Sequence, residues 1–145
     1  MFGFLFRSRA SRVVPAILAL GILAACGEST ASGELAGTYT ATKFLVTPTG
    51  QSTIDVLAQG GTMSITFGSN STVSGTLFVP GSVTGGAPMS ESMAGTFVRT
   101  GDTVEFEQTA DTFVRDLTWT VGSTTLEVAN QSAGGASFAI TLTRQ

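Results

Sequence analysis

The chain has 145 residues, 42% hydrophobic and 12% charged, with a formal net charge of −3, no histidine and one cysteine. Without histidine, a Ser-His-Asp triad and histidine-ligated metal centres are excluded, and a single thiol closes no internal disulfide. The acidic balance excludes the broad basic surface that nucleic acids require.

Met1 to Arg12 contains Arg7, Arg9 and Arg12 and no acid, and Val13 to Ala25 is apolar except for the break at Pro15. The apolar run is shorter than the roughly 20 residues that span a bilayer, so it reads as the core of an export signal. It ends in Leu23-Ala24-Ala25-Cys26, which resembles the bacterial lipobox. The resemblance implies that residues 1–25 are a cleaved lipoprotein signal peptide and that Cys26 is acylated and becomes the first residue. More than one acyl chain, at about 0.8 kcal/mol per buried methylene, makes a firm anchor. Gly27, where an aspartate favours inner-membrane retention in the enteric sorting scheme, tilts the expected site towards the periplasmic face of the outer membrane of the bacterial envelope.

Cleavage leaves Lys43, Arg99, Arg115 and Arg144 against ten acids, a net charge of 4 − 10 = −6. Anionic lipid repels such a domain, so the acyl chain on Cys26 is the expected membrane link. No nucleic-acid partner and no cofactor are implied. Residues 26–34, with the small, polar run "GESTASGE", read as lipidated cysteine and flexible tether. One domain is expected over residues 35–145.

From Leu35 on, the pattern alternates with period two. Strands are predicted over 37–46, 62–68, 72–79, 95–100, 102–108, 111–121, 124–130 and 136–144, rich in threonine, valine and phenylalanine. The segment 48–61 breaks the alternation. Ser52 or Thr53 offers an N-cap, Ile54, Leu57 and Ala58 have helical spacing, and Gly60 is a stop, which predicts a short helix between the first two strands, placed to cap one end. The loop 81–92, with Met89 and Met93 beyond Gly81, reads as a connection or a gate. Asn70 and Asn130 head glycosylation-type triplets and read as turn residues.

Eight short strands at steady spacing predict an all-β fold. Its form is an eight-stranded up-and-down antiparallel barrel with one short helix between strands 1 and 2; the alternative is a two-sheet β-sandwich. The stretches "LAGTYTATKF" and "GTFVRTGDTVEFEQ" resemble the lipocalin opening and the hairpins of short bacterial lipocalin-like domains, over Leu35 to Arg144. The resemblance implies a calycin-type barrel closed at its base by Gly37, Tyr39 and Arg144. Tyr39 stands where the family has tryptophan, under the arginine.

For catalysis, carboxylate pairs or a serine with a lysine base remain. Glu105 and Glu107 share the strand face opposite Val104 and Phe106 and so point to solvent, and no motif serine accompanies Lys43. The chain is read as non-catalytic. In "DTFVRDLTWTV" alternation puts Phe113, Arg115, Leu117, Trp119 and Val121 on one face. An inward guanidinium needs an anion, so Arg115 is a candidate reader of an amphipathic acid's head group, with Phe113 and Trp119 beside the tail and Phe97 and Arg99 assisting. The competing reading places Arg115 near a rim, paired with Asp111 or Asp116. Two functions follow: a membrane-anchored barrel that encloses a small hydrophobic or amphipathic ligand, or a barrel filled by its own side chains and acting as a structural or protein-interaction module. Interior volume separates them.

Overall fold

The computed structural model of the protein describes residues 34–108 and 110–145. The export signal and Cys26 lie outside the described residues. The strands are β1 (Gly37–Pro48), β2 (Ile54–Asp55), β3 (Thr62–Phe67), β4 (Thr72–Val79), β5 (Met89–Thr100), β6 (Thr103–Gln108), β7 (Trp119–Val121), β8 (Thr125–Ala133) and β9 (Ala136–Arg144). All neighbours pair antiparallel in the order β1-β3-β4-β5-β6-β7-β8-β9, and β9 returns to β1 from Tyr39↔Arg144 to Pro48↔Ala136. This closes an eight-stranded up-and-down barrel, with β2 as an extra strand on β1 beyond the reach of β3. Closure removes the exposed edges that a sandwich would leave.

Alternation builds the wall. Met63, Ile65 and Phe67 on β3 are buried while Thr62 and Thr66 are exposed, and β9 buries Phe138, Ile140 and Leu142. Bulges bend β1 between Ala41 and Lys43 and β8 between Val128 and Gln131. Such extra residues increase local twist and help a strand curve round. Asn130, at φ 50°, sits within the second bulge instead of in a turn, whereas Asn70 does occupy the β3–β4 turn.

The helix predicted over 48–61 does not form. Ile54 and Asp55 pair with Val46 and Leu45, and the Val56 amide donates to the Phe44 carbonyl at 2.8 Å. Cross-strand bonding thus claims the amides that a helix would need, and the remaining turn is too short to stand alone. Asp55, not Ser52 or Thr53, caps it, accepting from the amides of Leu57 and Ala58 at 3.0 and 3.1 Å. The short helix lies instead at Gly81–Thr84, ended by Gly85 at φ 73°. β5 starts at Met89, so the loop before it is shorter than read from sequence, and Met93 is a core residue.

Both ends are stopped. At the base, Leu35 is buried beneath the first strand, and Arg144 Nη2 donates to the Ala36 carbonyl. At the opposite end, the β6–β7 connection folds into a 3-10 turn, Phe113–Asp116, that buries Val114 and is followed by buried Leu117, while Val56 is buried from the β2–β3 turn. The capping role expected of a helix therefore falls mainly to this connection.

Candidate functional site

The predicted strand 111–121 is two pieces, the 3-10 turn and the three-residue β7. A turn of three residues per repeat destroys the period-two register, so Phe113, Arg115 and Trp119 do not share a face. Arg115 keeps 41% of its side chain exposed and its Nη2 donates to Asp111 Oδ1 at 2.5 Å, with Asp116 Oδ1 3.8 Å from Nε. The interior-face argument for a head-group reader therefore has no basis in this geometry; Arg115 stands at the rim between two aspartates.

The other candidates separate as well. Phe113 stacks on Phe138 at 4.2 Å between ring centres and lies 6.0 Å from Phe44, near one end. Arg99 sits at the base, where its Nη1 donates to Glu34 Oε2 at 3.1 Å and its Nε to the Gly101 carbonyl at 2.8 Å. Phe97 meets Phe67 edge-on at 4.9 Å, and the Trp119 indole N–H donates to the Val114 carbonyl at 3.3 Å. These aromatics pack the core.

The barrel-closure group does assemble. Arg144 lies opposite Tyr39 in the β1–β9 ladder and its guanidinium carbon is 5.7 Å from the ring centre. Gly37 adopts φ +140°, and a Cβ there would stand 3.0 Å from Arg144 Nε. The Gln145 amide donates to the Thr38 carbonyl at 2.9 Å. A cation over an aromatic face, with its remaining donors on main-chain oxygen, ties the last strand to the first.

Among the described residues, the centre of the barrel is filled. Phe44, Ile65, Val104, Trp119, Leu126 and Leu142, contributed by six different strands, are 0% exposed. A chamber wide enough for water would leave part of its walls accessible, so no such space borders these residues. Gly75 on β4 leaves no spare room: an added Cβ would lie 2.2 Å from the Ser64 carbonyl oxygen and 3.0 Å from Met93 Cε. Concavities occur on the outside. One of about 260 Å³ lies among Thr47, Thr49, Gln51, Ser132 and Ser137 at a barrel end, and one of about 220 Å³ lies on the wall between β6 and the 3-10 turn.

A small polar feature near that second cleft escaped the sequence reading. The Thr118 amide donates to Gln131 Oε1 at 2.9 Å, and Gln131 Nε2 donates back to the Thr118 carbonyl. The side-chain amide links β8 to the chain before β7, beyond the two ladder pairs, Thr120↔Glu127 and Val121↔Leu126, that join these strands. Only the glutamine's position after Asn130 hinted at it.

Among the described residues, no helix is long and apolar enough to cross a membrane, and no cluster of three or more Cys, Asp or Glu could hold a metal ion. No family model matches the chain, nor does any curated protein or solved structure.

Proposed function

We propose that the protein is a lipid-anchored module of the bacterial envelope whose barrel is filled by its own side chains and which acts through its outer surface, without catalysis. The observation that carries the reading is the sealed interior, with the innermost aromatic and aliphatic side chains at 0% exposure and both ends stopped. Ligand pockets for whole small molecules usually hold about 300–1,000 Å³, and the packed aromatic contacts leave nothing of that size against the core residues named above. The anchor rests on the sequence Leu23-Ala24-Ala25-Cys26 after a basic, then apolar, leader. The resemblance to lipocalins agrees with the barrel fold; fold alone assigns no ligand.

Native mass spectrometry of the purified protein tests the filled barrel. The expected mass is that of the protein with its anchor, unchanged by challenge with fatty acids and lipid extracts; a small molecule lost only on denaturation would instead establish an enclosing barrel. Metabolic labelling with an alkyne fatty acid tests the anchor, with label expected on the wild type and absent from Cys26→Ser.

A further inference from the structure

The β5–β6 seam runs from Gly95↔Gln108 to Thr100↔Thr103, but on its other side β6 pairs with β7 only at Thr103↔Thr120 and Val104↔Trp119. Beyond Trp119 the chain leaves the strand path as the 3-10 turn, so Phe106 has no ladder partner on that side. The divergence opens the outer wall as the cleft of about 220 Å³. Val98, which lines it, is 56% exposed and is the one large hydrophobic side chain exposed among the described residues. Glu105, Glu107 and Asp116 line the same cleft, and Asp111 lies just outside it. The Thr96 hydroxyl donates to one oxygen of Glu107 at 3.3 Å, which leaves the other oxygen open. The cleft's single cation, Arg115, is already matched by Asp111 and Asp116.

We propose that this cleft is a socket for one lysine or arginine side chain presented by a partner protein. Its volume is below that of pockets that take a whole small molecule, so a single long side chain is the fitting occupant. The methylene stem lies over Val98, as cationic side chains cover apolar surface, and the charged head reaches the Glu105 and Glu107 carboxylates. An acidic side chain is refused, because four carboxylates surround one guanidinium that already has partners. The inference rests on the reading that the protein acts through its surface, and names the chemistry of the partner.

The test is a titration of the isotope-labelled full chain in detergent micelles with acetylated, amidated Gly-Arg-Gly and Gly-Lys-Gly, followed by amide chemical shifts; Gly-Glu-Gly and Gly-norleucine-Gly are the controls. Saturable shifts at Val98, Glu105, Phe106, Glu107 and Thr118 are expected with the basic peptides alone. The double variant E105Q/E107Q is expected to bind roughly three- to tenfold more weakly, the scale of one or two exposed ion pairs, and Val98→Ser to bind more weakly than wild type. Shifts scattered over the surface, an equal response to Gly-Glu-Gly or to Gly-norleucine-Gly, or an unchanged affinity in E105Q/E107Q would overturn the proposal. The Trp119 indole signal separates this from the underlying reading: its movement on adding a fatty acid would remove the filled barrel, whatever the cleft does.

Discussion

Gly37 and Arg115 show how differently two residues of comparable prominence can be read. At Gly37 the backbone has φ +140°, a conformation side chains rarely adopt, and an added Cβ would lie 3.0 Å from Arg144 Nε, so the guanidinium would have to give way. Gly37→Ala is expected to destabilise the fold by about 1–3 kcal/mol, measured by chemical denaturation. In Gly37→Ala/Arg144→Ala the steric part is relieved, so the double variant should lose less than the sum of the singles; strict additivity would disconnect the two residues. This cluster was expected only from the resemblance of "LAGTYTATKF" to the lipocalin opening; alternation alone does not pair Tyr39 with an arginine at the far end of the domain. Arg115 was misleading because period-two counting assumes that the strand continues. Once the 3-10 turn intervenes, its parity carries no meaning. Its ion pairs are exposed and individually weak, so Arg115→Ala is expected to change stability by no more than about 0.5 kcal/mol, with an unchanged melting profile.

Between strands, the connections decided what alternation left open. The segment 48–61 has helical spacing but pairs with β1, because Ile54 and Asp55 of β2 find cross-strand partners there and Val56 finds the Phe44 carbonyl. Those partners lie just upstream on β1, so a local hairpin takes the place of the helix, and apolar spacing alone does not tell the two apart. The β6–β7 connection is the more consequential case, since it supplies the buried Val114 and Leu117 that stop one end. Leu117→Ala is expected to cost about 2–5 kcal/mol, as deletion from a packed core does. Gln131→Ala leaves the Thr118 amide and carbonyl without their side-chain partners and is expected to cost about 1–3 kcal/mol. Both are read from denaturant midpoints at constant slope. A change of a few tenths in either would show that this connection is a loose cover and not part of the core.

For the whole molecule, closure distributes stability unevenly around the ring. The β1–β9 seam joins nine residue pairs, from Tyr39↔Arg144 to Pro48↔Ala136, and is locked at its base by the Arg144–Tyr39 contact. By contrast, β7 is held by two pairs to β6 and two to β8. Opening at β7 breaks few ladder bonds, although Trp119 must then leave its buried site; opening at β1–β9 undoes the closure itself. Amide hydrogen exchange under native conditions is therefore expected to be slowest at the centre of β1 and β9, near Phe44, Ile140 and Leu142. The Thr120 and Val121 amides and the turn before them should exchange measurably faster, through sub-global opening. The seam that closes the ring joins the two ends of the chain, so its loops are long and its formation slow, and refolding is expected on the millisecond-to-second scale of all-β domains. Protection as high at Thr120 and Val121 as at Phe44 would mean that the ring opens only as a unit. The β6–β7 divergence would then be a rigid feature of the wall, with its cleft preformed to the same degree as the core behind it.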